Sequence, residues 1–338
     1  MPDRTPLPGN AEPRVVRLQE IRSALEIPLL IDELAAGFVA YSSGQVVVPP
    51  VAHLGFDEPR GDVHIKYGYI QDDDVFVIKI ADGFDDNAAL GLPPGDGMLL
   101  VFDRRTGMTR AILLDRGYLT DLRTAAAGAV AARVLAPRTV ERIGVIGTGV
   151  QGHLQLELLA RVVECRSAMV YGRDAHRAAR YVHDMAVHGF EVTIAPDPDT
   201  LAAACDLIVT ATTARAPLFS AGVVRPGTHI SAFGADSPGK QELDPALMGR
   251  ADVVVVDSLA QTSRHGELAH ALQAHEISEE HVHELGAVIG DRSLGRTGDD
   301  QITVCDMTGV AVQDIVVAKH VLRQLGAIHD SPSLAGPQ

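Results

Sequence analysis

The chain has 338 residues, 46% of them hydrophobic, and a formal net charge of −15 at pH 7. That length and apolar fraction allow large cores and suggest two domains, while the acidic balance excludes nucleic acid as a partner, because phosphate neutralisation needs a basic surface. No stretch reaches the roughly 18 apolar residues of a membrane span, and the N-terminal run MPDRTPLPGNAEPR lacks the apolar centre of a signal peptide. Three cysteines, Cys165, Cys205 and Cys305, stand in separate apolar contexts, as small core residues in a reducing compartment do. A soluble, cytoplasmic protein with no membrane partner is expected.

The first dozen residues read as a frayed tail. Leu18 to Gly44 carries helical periodicity, and from Val46 to Leu114 short alternating runs are separated by Asp, Gly and Pro turns. This predicts an antiparallel or mixed sheet with one amphipathic helix packed on it. Thr120 to Ala136 reads as a helix of small residues, capped by Thr120 or Asp121 and followed by Pro137. Its small side chains suit a joint between domains or a wall behind an active site. From Thr139 strands and helices alternate, which predicts a parallel sheet covered on both faces. After Val304 one long helix, entered through Thr308-Gly309, is expected to return to the first domain.

Residues 142–152 read RIGVIGTGVQG and continue into the helical run LQLELLARVV. Glycine-rich turns are common, but a β-branched run before Gly147 and a helical period after Gly152 make Gly147, Thr148, Gly149, Val150, Gln151 and Gly152 a dinucleotide-binding turn. Gly147 suits the tight turn, Gly149 the approach of phosphates and Gly152 close helix–strand packing. The next strand ends in Tyr171-Gly172-Arg173-Asp174. NAD-specific sites usually place an acid here for the ribose hydroxyls; Gly172 has none, and Arg173 suits a 2′-phosphate, which leans toward NADPH. Asp174 is the competing ribose ligand from one position further on. Thr210, Thr212 and Thr213 end a buried strand at the edge where ligands bind, and are candidates for the nicotinamide half, although Thr is also an ordinary strand residue.

Asp236, in a Gly- and Pro-containing loop after another strand, is either a turn former or an acid placed at that same edge. In the first domain Lys66 and Lys79 interrupt apolar runs and Arg123 begins the small-residue helix. Singly, each belongs on a polar face. Gathered around one cleft, the three would grip a carboxylate and depress a lysine pKa. The run His275 to Glu284 lacks metalloprotease spacing and reads as a solvated helix, so no metal is expected.

Ile78-Lys79-Ile80, Thr106-Gly107, Leu119-Thr-Asp-Leu-Arg123-Thr-Ala-Ala126, Gly147-Thr-Gly149, Gly234-Ala-Asp236-Ser-Pro-Gly239-Lys and Thr308-Gly309 together resemble the ornithine cyclodeaminase/μ-crystallin family over nearly the full length. The resemblance implies an α/β protein: a Rossmann-type doubly wound parallel sheet over 123–306, inserted into an α+β substrate and dimerisation domain over 1–122 plus 307–338. It implies a homodimer, NAD(P)H as cofactor with Thr308 among its contacts, Lys79 and Arg123 on the substrate carboxylate, and Asp236 on the substrate amine or a proton. Cyclodeaminases carry an arginine shortly after a proline, where Val51 stands here, and a Met-Pro pair where this chain has Lys66. That places the chain nearer the branch with iminosuccinate reductases and ectoine-utilisation proteins. A pocket of Lys66, Lys79 and Arg123 would suit a substrate with two carboxylates and repel the distal ammonium of ornithine. Reduction of a small α-imino acid is therefore expected, with a dicarboxylic one as the candidate. The alternatives are an ornithine or lysine cyclodeaminase, an amino-acid dehydrogenase, or a non-catalytic NADPH- and small-ligand-binding protein.

Overall fold

The computed structural model describes residues 12–93 and 95–328. Most of the expected N-terminal tail, and residues 329–338 of the expected first domain, lie outside the described residues. In chain order the first unit is β1 (Arg14–Arg17), α1 (Leu18–Ser23), α2 (Ile27–Ser42), β2 (Val46–Val47), β3 (Ala52–Phe56), β4 (Gly61–Ile70), β5 (Val75–Phe84), β6 (Gly95–Asp103), β7 (Thr109–Leu114) and α3 (Tyr118–Leu135). The second is β8 (Ile143–Ile146), α4 (Val150–Leu159), β9 (Ser167–Tyr171), α5 (Ala175–Ala186), β10 (Glu191–Ile194), α6 (Pro198–Ala204), β11 (Leu207–Thr210), β12 (His229–Ala232), α7 (Pro245–Arg250), β13 (Val253–Val256), α8 (Leu259–Thr262), α9 (Glu267–Gln273), β14 (Val282–Glu284), α10 (Leu285–Gly290) and β15 (Thr303–Asp306). Helix α11 (Ala311–Gln324) follows.

Among the described residues, β1–β7 form one mixed sheet, ordered β1-β7-β6-β5-β4-β2 with β3 also on β4. Its strands pair antiparallel except for β1 on β7. Val75 and Val77 are buried, and strand alternation puts Lys79 next on that inward face. The strand that reads as apolar with a polar interruption thus delivers its lysine to the interior. Strands β8–β15 form the second sheet, ordered β10-β9-β8-β11-β12-β15-β13-β14 and wholly parallel. Its central strands are buried on both faces and need helices above and below. No helix among the described residues is long and apolar enough to cross a membrane.

Four expectations are corrected. The helical period over Leu18–Gly44 belongs to two helices, with Pro28 in the first turn of α2 where it is tolerated. The helix against the sheet is α11, which packs on β4 and β5, while α2 packs on α11, α3 and α10. Helix α3 starts at Tyr118 with left-handed Gly117 as its cap residue, and Asp115, not Thr120 or Asp121, accepts the Leu119 N–H at 2.8 Å. The His- and Glu-rich run is not a helix: His275 has φ 59°, a single tight turn covers 279–281, and β14 completes it. The division drawn between 122 and 123 falls inside α3, whose small residues pack on α2 and α11 on one side and α4 and β12 on the other.

Close approach is also built into the seam between α2 and α10. A Cβ on Gly286 would lie 1.9 Å from the Phe38 carbonyl oxygen. Gly286→Ala should therefore force the two helices apart and lower stability by about 1–3 kcal/mol, read as a lower denaturant midpoint; an unchanged midpoint would show that the seam yields.

Candidate active site

Gly309 has φ +83°, and a Cβ there would lie 2.8 Å from Arg123 Nη1 and 3.3 Å from Lys66 Nζ. Only glycine lets the chain turn here while two cations close on its backbone. Lys66 donates to the Gly309 carbonyl at 2.5 Å and to that of Thr308 at 3.4 Å. Lys66 and Lys79 are direct cross-strand partners on β4 and β5. Between Lys79 and Arg123 sits Asp314, three residues into α11: its Oδ1 is 3.5 Å from Lys79 Nζ and accepts from Arg123 Nε at 3.1 Å. Arg123 also donates to the Gln313 side chain. Lys79, Arg123, Gln313 and Asp314 are all buried, whereas Lys66 is partly exposed.

Burial favours the neutral amine and brings Lys79 down to about 7; Asp314 opposes that shift, and Arg123 and Lys66 reinforce it. Lys66 is lowered by the same desolvation and by Arg123, against the pull of Asp314, Asp257 and Asp236. For Asp314 burial acts upward, but Lys79, Arg123 and Lys66 hold it below the ordinary carboxylate value. Its Oδ2 is buried without a hydrogen-bond partner. Asp115, at the end of β7, is fully buried and pushed up to about 6 by desolvation, against backbone donors and nearby Lys79.

The parallel strands bring the segments after them to one edge: Gly147 after β8, Ala211 after β11, Phe233 after β12, Asp257 after β13 and Met307 after β15. The cations reach this edge through Thr308 and Gly309. Gly147 has φ +124°, and a Cβ there would lie 2.4 Å from the Ala211 carbonyl oxygen. Gly152 passes the Gly147 carbonyl so closely that a Cβ would lie 2.0 Å from its oxygen. Gly149, the N-cap of α4, has open space around it and no side-chain cap, so the first N–H groups of the helix are left for an anion. A dinucleotide pyrophosphate fits this turn.

Other expected ligands are engaged elsewhere. The Gln151 amide donates to the Asp121 carbonyl and carboxylate at 3.1 and 3.2 Å. Thr210 donates its hydroxyl to Glu242 at 2.7 Å, and that of Thr308 donates to Asp257 at 3.1 Å and accepts from Gln261 at 2.8 Å. Thr212 accepts from the Ala214 N–H at 3.1 Å, and Thr213 is exposed. These hydroxyls shape the edge but are not free there, Thr213 excepted. Asp174 caps α5, accepting from His176 and Arg177 at 2.9 and 3.0 Å, while Arg173 and Val150 are exposed and Thr148 is half-buried against Gly172. Asp236 lies half-exposed, 2.6 Å from Lys240, and acts on Lys66 across the cleft. Sequence inspection missed Asp115, Gln313 and Asp314; the signal for the last two was a Gln-Asp pair inside an otherwise apolar run.

A two-sheet protein with a dinucleotide-type turn and a buried cationic cluster at one strand edge has the architecture of a Rossmann oxidoreductase. The profile of the ornithine cyclodeaminase/mu-crystallin family matches residues 11–327, and the chain belongs to that family. An uncharacterized cyclodeaminase of Sinorhizobium fredii is 42% identical over 275 residues, covering 81% of this chain and 83% of the relative. Among solved structures, an archaeal alanine dehydrogenase dimer with bound NAD superposes with a TM-score of 0.86 at 32% identity, over 93% of this chain and 96% of that one. The iminosuccinate reductase of Paracoccus denitrificans in complex with NAD+ gives the same TM-score of 0.86 and 32% identity, over 93% and 96%. The chain is an oxidoreductase of this family.

Asp314 favours the ammonium form of Lys79, so Asp314→Asn should lower the Lys79 pKa further below about 7. The midpoint of the Lys79 titration, followed by NMR of the 13C-labelled lysine side-chain methylene, should move about one pH unit to the acid side; movement to the alkaline side would contradict the assigned polarity.

Proposed function

We propose that the chain reduces a small α-imino acid to the amino acid with a nicotinamide dinucleotide. The observation that carries this is the convergence of Lys66, Lys79 and Arg123, partly neutralised by Asp314, on the strand edge that also holds the open glycine turn. Three cationic side chains against one buried carboxylate leave room for an anion, and the buried setting makes each charge contact strong. Gly147 to Gly152 would hold the pyrophosphate, and a dinucleotide bound there would supply hydride for the imine carbon. Lys79 and Arg123 fix the substrate carboxylate. With a value near 7, the Lys79 ammonium can release its proton toward the imine nitrogen and regain it from solvent. Asp236, at the mouth of the cleft, orients the amine side. Lys66 adds positive charge beside this grip and suits a second carboxylate on the substrate. Exposed Arg173, with Asp174 withdrawn into the helix cap, suits the 2′-phosphate of NADPH. A homodimer is part of the proposal, by likeness to the archaeal dimer.

Cyclodeamination, with ornithine as the candidate substrate, is the competing reading, favoured by the relative named as an uncharacterized cyclodeaminase. Lys66 disfavours it, since a distal ammonium would meet a cation. The two separate on one panel: NADPH and NADH oxidation with oxaloacetate, pyruvate or glyoxylate plus ammonia or methylamine, against proline formation from ornithine and NAD+. Reduction in the first set with no proline in the second is expected, and the reverse outcome defeats the proposal. Lys79→Ala should lower turnover about a hundredfold or more while dinucleotide binding, followed by nicotinamide fluorescence, stays nearly intact.

Arg173→Ala should cut kcat/KM for NADPH about tenfold or more and leave that for NADH within about twofold. Equal losses with both cofactors would remove the basis for a 2′-phosphate contact.

A further inference from the structure

On the first sheet, outside the cationic cluster, β3 and β4 bring His53, Asp62 and His64 together. His53 and His64 are direct cross-strand partners, and Asp62 lies two residues along β4 on the same face. His64 Nε2 lies 3.3 Å and His53 Nε2 3.8 Å from Asp62 Oδ2, and the three ligand atoms all lie within 4.8 Å of one another. Two metal–ligand bonds of about 2.1 Å at a tetrahedral angle put their donors about 3.4 Å apart. The two separations from Asp62 Oδ2 bracket that value and are longer than the roughly 2.7–2.9 Å of a strong charged hydrogen bond, while the ligand atoms of the two histidines are within 4.8 Å of each other.

The neighbouring side chains leave the space open. Gly55 stands opposite Asp62 on β3, and on β5 Gly83 stands opposite Asp62 and Ala81 opposite His64. Outside the cluster itself, the direct cross-strand neighbours of Asp62 and His64 thus carry nothing larger than a methyl group, which leaves room beside them for an ion and its remaining water ligands. All three residues reach solvent, so an ion has a path in. Lys66 follows His64 on the same face, but its ammonium is directed at the Gly309 carbonyl. It is therefore drawn away from the cluster.

We infer that His53, Asp62 and His64 form a binding site for a divalent transition-metal ion that favours imidazole, such as Zn2+. A linear search for ligand spacing does not find it, because the two histidines meet only through strand pairing. The site uses none of the residues assigned to dinucleotide or carboxylate binding, so its failure would leave the proposed reaction standing.

Zn2+ titrated calorimetrically into chelator-treated full-length protein should bind with a stoichiometry of about one per chain. His64→Ala, His53→Ala and Asp62→Asn should each weaken that binding about tenfold or more, with circular dichroism spectra matching the parent. Co2+ should give a visible absorption spectrum without the thiolate charge-transfer band of cysteine ligation. Absence of binding by the parent protein, or affinity unchanged in all three variants, would overturn the assignment. If a variant loses its fold, the Co2+ spectrum of the parent still decides by whether it carries nitrogen and oxygen or sulfur ligation.

Discussion

The site depends on one buried carboxylate. Lys66, Lys79 and Arg123 carry like charges into the space around Gly309, where a pair of such charges 4 Å apart repels by about 4 kcal/mol even in a moderately polar interior. Asp314 counters this by contacting Lys79 and Arg123 with one oxygen, and the Thr308 and Gly309 carbonyls take up Lys66. It comes from α11, a helix buried along nearly its whole length between the first sheet and α2. The electrostatics of the cleft thus rest on a helix whose position is fixed by apolar packing.

Much of the second unit was legible because parallel strands and covering helices write separate periods, and because Gly147 and Gly152 of the turn each have a steric reason that the spacing shows. The first unit was less so. Lys79 in VFVIKIA has the pattern of a solvent-facing strand lysine, and only the placement of Val75 and Val77 on the inner face turns it inward. Asp314 lies among valines and isoleucines in a run that reads as core, with nothing local to mark the cations it would meet. The β1 strand lies next to the expected tail, and its pairing with β7 is long-range. The split between α1 and α2, and the choice of α11 over α2 as the helix on the sheet, were likewise decided by tertiary packing over local periodicity.

Helix α3 connects the two halves of the site physically. Arg123 projects from it toward Asp314, while Asp121 receives Gln151 from the nucleotide turn and the Thr124 carbonyl receives Gln155 from α4 at 3.2 Å. Gly128 brings α3 so near Gln155 that a Cβ would lie 2.0 Å from its Oε1. Small residues along this helix therefore do more than fill space, since they set how far the glycine turn after β8 stands from Arg123 and Asp314.

The chain crosses between its two sheets a second time at Met307 to Val310, and this crossing carries the carbonyls that hold Lys66. A covalent link between the sheets and the acceptors of a cation are the same few atoms. The hydrogen bonds of the Lys66 ammonium therefore tie the first sheet to the backbone that leaves the second, so the position of this charge is set by both halves of the chain at once.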